Sequence, residues 1–83
     1  MRKIEQAMIA ALHERRDFKS GNTKVVWLEP DTAHIFLHST LIAWYSTGNR
    51  TTAPRIDIHR DNVARWNTQT TRSRVRALLA GDL

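Results

Sequence analysis

Residues 24–46 read Lys24-Val25-Val26-Trp27-Leu28-Glu29-Pro30-Asp31-Thr32-Ala33-His34-Ile35-Phe36-Leu37-His38-Ser39-Thr40-Leu41-Ile42-Ala43-Trp44-Tyr45-Ser46. This stretch decides the fold class. Val25 to Leu28 is β-branched and aromatic, and Glu29-Pro30-Asp31-Thr32 supplies turn chemistry. Ala33 to His38 and Leu41 to Tyr45 follow as two more strands, joined by a tight connection at Ser39-Thr40. On the first of these, Ala33, Ile35 and Leu37 share one face and His34, Phe36 and His38 the other. On the next, Leu41, Ala43 and Tyr45 oppose Ile42 and Trp44. Apolar side chains occur on both faces, so one face packs on helices and the other is partly covered or interfacial.

Upstream, residues 2–16 read as a helix. Ile4, Met8, Ala11 and Leu12 recur at the spacing of one helical face, Glu5 and Glu14 mark a polar face, and Arg15 and Arg16 complement the C-terminal dipole. Gly21-Asn22 is a turn signal. Downstream, residues 48–54 form a polar loop, and Arg55-Ile56-Asp57-Ile58-His59 alternates as an edge strand does. A last helix follows Trp66, with Thr70 or Thr71 as N-cap, Val75, Leu78 and Leu79 as its buried stripe and Gly81 as its terminator. The predicted order is α-β-β-β-β-α: an α+β fold with a small antiparallel sheet of three to four strands between N-terminal and C-terminal helices. Trp27 and Trp66 are assigned to the core.

The chain has 83 residues and no cysteine. A length of this order suits one domain, spanning residues 1–83, with little room for a deep active site. Without cysteine, disulfides, thiolate metal sites and cysteine nucleophiles are excluded. No apolar run approaches the roughly 20 residues that a membrane span needs. Met1-Arg2-Lys3 resembles the start of a signal peptide, but Glu5, Gln6 and His13 interrupt the apolar stretch that should follow. The expected location is the cytoplasm.

Thirteen basic against eight acidic residues give a net charge of +5. The excess is concentrated in residues 48–83, where seven arginines face Asp57, Asp61 and Asp82, a local net of +4. Arginine suits bidentate contacts to phosphate. Arg72 and Arg76 are i, i+4 neighbours on the last helix, Arg74 lies nearer the flank of the Val75 stripe, and Arg65 precedes the helix. With the hydroxyls of Thr68, Thr70 and Thr71 beside them, they form a candidate nucleic-acid site of Arg65, Arg72, Arg74 and Arg76. A solvated helix face would carry the same residues. Phe36 and Trp44 are candidates for an exposed partner-binding face.

Catalytic signals are weak. His34 and His38 fall on one face of a strand but about 13 Å apart, too far to share an ion. Neither a nucleophile elbow nor a phosphate-cradling glycine loop is present. The expectation is a protein that is not an enzyme, with no metal and no cofactor.

His38-Ser39-Thr40-Leu41-Ile42-Ala43, followed by Trp66-Asn67-Thr68-Gln69-Thr70-Thr71 and the arginine-containing helix to Leu79, resembles a group of small bacteriophage-encoded proteins. The resemblance covers about residues 21–80. It implies a phage or prophage product acting in the bacterial host, and no catalytic or binding residues come with it. Two functions from different classes follow. One is an accessory protein that binds nucleic acid through the arginine patch. The other is a phage protein that binds and modulates a host protein, such as a defence component, through Phe36 and Trp44. Homodimerisation through that same aromatic face is a third use for it.

Overall fold

The structure, a computed structural model, describes residues 2–81 and Leu83. Its elements are α1 (Lys3–Glu14), β1 (Phe18–Ser20), β2 (Thr23–Glu29), β3 (Thr32–Leu37), β4 (Thr40–Ser46), β5 (Arg55–Ile58), α2 (Arg60–Arg65) and α3 (Gln69–Ala80). The strands form one antiparallel sheet in the order β1-β2-β3-β4-β5, each paired with its neighbour in sequence. The fold is α+β as expected, but with five strands rather than three or four, and with an additional short helix.

The extra strand, β1, has only three residues, too few for a readable alternation. Tertiary contacts hold it in place. Arg15 ends α1 in a left-handed conformation (φ 54°), which turns the chain back toward the sheet. The Asp17 carboxylate then accepts the backbone N–H of Trp27 at 2.9 Å, and the Trp27 indole N–H donates to the Arg16 carbonyl at 3.0 Å. Trp27 is accordingly only partly buried, its ring set edge-on to Tyr45 at 6.1 Å.

Helices α1 and α3 cover one face of the sheet. The core joins Met8 and Leu12 of α1 and Ala77 and Leu78 of α3 to Val25, Ala33, Ile35, Leu37, Ala43 and Tyr45. The face predicted for β3 is the buried one. In β4 the simple alternation fails: Ile35 pairs with Ala43 but Phe36 with Leu41, so Ile42 is the extra residue of a β-bulge. A bulge shifts the alternation by one residue. Ile42 therefore joins Ala43 and Tyr45 in the core, and Leu41 is registered with Phe36 on the opposite face.

The β3–β4 connection is His38-Ser39, one residue earlier than expected. Both residues are left-handed, at φ 52° and 64°. That pair of signs marks the type I′ turn, whose twist suits a hairpin, although neither residue is the usual Asn or Gly. His38 is tied back by its N–H to the Asn22 carbonyl at 2.8 Å and by a ring-to-amide bond to Asn22 at 3.0 Å. The polar loop after β4 is similarly organised, since the Asn49 side-chain oxygen accepts from the N–H groups of Thr51 and Thr52.

In α3 the buried residues are Thr71, Arg74, Ala77 and Leu78. The expected stripe was rotated from this one: Leu78 is buried, but Val75 is only partly so and Leu79 is 63% exposed. The N-cap is Thr68, whose hydroxyl accepts from Thr71 N–H at 3.1 Å, in place of Thr70 or Thr71. Gly81 ends the helix, but in an extended conformation (φ −64°). Its lack of a side chain matters for space, since a Cβ there would lie 2.9 Å from Ile9 Cδ1.

Candidate nucleic-acid interface

The four arginines expected to act together part company. Arg74 is 4% exposed and faces inward. Its Nη1 meets Glu5 Oε2 at 2.7 Å, and its Nε donates to Thr23 Oγ1 at 3.0 Å. Arg74 is therefore a structural cation that links α3 to α1 and β2, and it is removed from the surface site. Glu5, expected on a polar face, is its buried counterion at 3% exposure. That carboxylate also accepts from Ser73 Oγ at 2.5 Å and from Arg2 N–H at 3.2 Å. Burial opposes its ionisation, but the Ser73 hydroxyl, the Arg2 N–H and the Arg74 guanidinium outweigh that cost and hold its pKa below the ordinary value.

Arg72 and Arg76 are exposed on the outer face of α3, one turn apart. The structure brings Arg2 to them. Arg2, Gln69, Arg72, Ser73 and Arg76 line an open depression of about 390 Å³ between the start of α1 and α3. An adjoining cleft is lined by Arg2, Glu5, Ser73, Arg76, Ala77 and Ala80. Among the described residues the ion pairs are Arg16–Glu14, Arg55–Asp57 and Arg74–Glu5. Arg2, Arg72 and Arg76 thus have no carboxylate partner among the described residues, while the Glu5 carboxylate, which lines the adjoining cleft, is already paired with Arg74.

Arg65 is exposed at the end of α2 and does not line this depression. Trp66 is not a core residue: 55% exposed, it walls a cleft with Leu37, His38, Thr40, Ile42 and the threonines that open α3. Arg2 was missed because, although the sequence places it at the start of the first helix, only the packing of α1 beside α3 brings it to Arg72 and Arg76. Glu5 was legible, since its spacing to Met8 and Leu12 (i, i+3, i+7) puts it on the buried face.

Phe36 and Trp44 do lie together, on the sheet face opposite the helices. Cross-strand register places Val26, His34, Trp44 and Asp57 in one row and Lys24, Phe36 and Leu41 in the next. Trp44 stacks on His59 (5.2 Å, 28°) and meets His34 edge-on at 6.3 Å. Lys24 Nζ sits 5.0 Å from the centre of the Phe36 ring. Both aromatics are partly buried by these neighbours. The arginine depression and the aromatic stripe therefore occupy opposite sides of the molecule.

These features define a small α+β protein: a five-stranded antiparallel meander covered by helices on one face, open on the other, and basic on its helical side. The chain belongs to a phage protein family, the Kyanoviridae Gp96 protein, whose family model matches residues 1–81. The match extends the expected phage resemblance through α1. No curated protein and no solved structure matches the chain significantly. Among the described residues, no helix is long and apolar enough to cross a membrane.

Proposed function

We propose that this phage protein is a non-enzymatic accessory factor that binds nucleic acid through its phosphate backbone, with Arg2, Arg72 and Arg76 as the principal contacts and Arg65 outlying. The observation that carries this reading is that Arg2, Arg72 and Arg76, none with a carboxylate partner among the described residues, line one depression beside a carboxylate already paired with Arg74. Guanidinium forks match phosphate oxygens, and Gln69 and Ser73 also line the depression. Such contacts carry no base specificity.

The test is fluorescence anisotropy with labelled duplex and single-stranded DNA and RNA. Three phosphate contacts give a log–log salt slope of about −2.7 on duplex DNA, an affinity loss of roughly 40-fold between about 50 and 200 mM salt. Arg72→Ala/Arg76→Ala, leaving only Arg2, reduces the slope to about −0.9 and the loss to roughly fourfold. Absence of binding at low salt, or a slope unchanged in the double variant, refutes the assignment.

The open aromatic face favours a second reading, in which a host protein docks on Phe36 and Trp44. Under that reading, Phe36→Ala and Trp44→Ala each abolish capture of a specific partner from nuclease-treated host lysate, and Arg72→Ala/Arg76→Ala does not.

A further inference from the structure

The edge of the sheet at β5 is self-complementary in hydrogen bonding, charge and apolar surface, and we propose that two copies of this chain join there to make one continuous ten-stranded sheet. β5 is the terminal strand of the meander, with β4 on one side and, among the described residues, no strand on the other. His59 N–H donates to the Ile42 carbonyl at 2.8 Å. Bonded and non-bonded pairs alternate along an antiparallel ladder, so Arg55 and Asp57 bond to β4. Ile56 and Ile58 then direct their N–H and C=O groups outward, where an edge strand offers them to another chain.

The two sides of this strand differ. On the helical side, Ile56, Ile58, Val63, Val75 and Leu79, together with the polar Asp57, Arg60 and Asn67, line a cleft of about 440 Å³, and Leu79 is 63% exposed. On the open side, Arg55 and Asp57 form an exposed ion pair at 2.8 Å. A two-fold axis through Ile56 sets Ile56 opposite its own copy, in a pair that exchanges both backbone bonds. Arg55 then lies opposite Asp57 of the second copy, and Asp57 opposite its Arg55, so each charge meets its opposite. Ile58 N–H reaches the Pro54 carbonyl of the second copy. Proline has no N–H to return that bond, and the outward side of an edge strand is where a residue without one is tolerated.

Because the axis is perpendicular to the sheet, both helical layers fall on the same side. Leu79 and Val75 then gain cover across the seam. The charged half of this seam lies on the same open sheet face as Trp44, which is registered with Asp57, whereas Phe36 lies two strands away on β3. The seam is isologous, as a two-fold dimer requires. The self-match of charge in this register selects a second copy over an unrelated strand, which has no reason to present Asp and Arg in that order.

Sedimentation velocity on the full chain tests the proposal. The wild type is expected to sediment at twice the 9.6 kDa chain mass. Asp57→Arg sets arginine against arginine at both ends, and Arg55→Asp sets aspartate against aspartate, so each variant alone is expected to be a monomer. An equimolar mixture of the two restores every pair and is expected to recover the dimer as a heterodimer, which also establishes that both variants fold. Ile56→Pro removes an outward N–H without touching the β4 ladder, and it too is expected to give a monomer. A monomeric wild type at concentrations up to about a millimolar, where even weak association registers, overturns the proposal. So do single variants that remain dimeric, or an Ile56→Pro dimer.

Discussion

Replacing Glu5 by glutamine should destabilise this protein more than an ordinary polar substitution does. The carboxylate and the Arg74 guanidinium are both nearly inaccessible and lie 2.7 Å apart. Removing one partner of such a pair strands the other charge in a poor solvent, at a cost of about 3–5 kcal/mol. Glutamine keeps an acceptor for Ser73 and Arg74, so the lower figure, about 3 kcal/mol, applies. A domain of this length has a total stability of roughly 4–12 kcal/mol, so the loss is a large fraction of it. It corresponds to a fall in Tm of about 12–24 °C. Thermal and urea melts followed by circular dichroism measure it. The companion variant Glu5→Leu/Arg74→Met removes both charges and should cost less than Glu5→Gln alone, because no ion is left unpaired.

Acid adds a second readout. The folded-state pKa of Glu5 lies below the ordinary value that the unfolded chain regains. The unfolded state therefore takes up the proton first, and the contribution of Glu5, complete above the ordinary value, fades as the pH falls through the lower folded one. Glu5→Gln should lack that part of the acid sensitivity. If Glu5→Gln costs less than about 1 kcal/mol, a typical polar hydrogen bond, and shares the wild-type pH profile, the pair is not what ties α1 to α3.

Two further substitutions probe the turns. Ser39→Gly relieves a left-handed serine and should raise stability by roughly 0.5–1 kcal/mol, the steric penalty less the freedom that glycine adds to the unfolded chain; a lower Tm would contradict the strain inferred from φ 64°. Gly48→Ala drives a Cβ into the Thr52 carbonyl oxygen at φ 79°, and should cost about 1–3 kcal/mol in a urea melt. A neutral result there would mean that the 48–54 loop reorganises freely.

The fold class was legible in the sequence because patterning reports burial along one element at a time. Ala33, Ile35 and Leu37 alternate as a strand buried on one face must, and that face is the one in the core. Met8 and Leu12 sit one helical turn apart and are both buried. Alternation could not report the bulge at Ile42, since an inserted residue depends on how β4 pairs with β3. Nor could it report β1, which three residues and the Asp17–Trp27 contact hold in place. The site divided in the same way. Arg72 and Arg76 share an exposed face by their spacing alone, whereas Arg2 reaches them only through the packing of α1 beside α3.

Composition and periodicity determined the α+β class, the antiparallel β2–β3–β4 core, the edge position of β5 and the excess of arginine in the C-terminal half. Tertiary structure alone decided which arginines that excess leaves free. Arg74 and Arg76 are the same residue type on the same helix, two positions apart. One points to Glu5 and Thr23 and is buried as part of the scaffold. The other points away from them and remains exposed. An arginine is buried when an acceptor set from other elements compensates its desolvation, and those acceptors lie 69 and 51 residues away in the chain. No local pattern records such a partner.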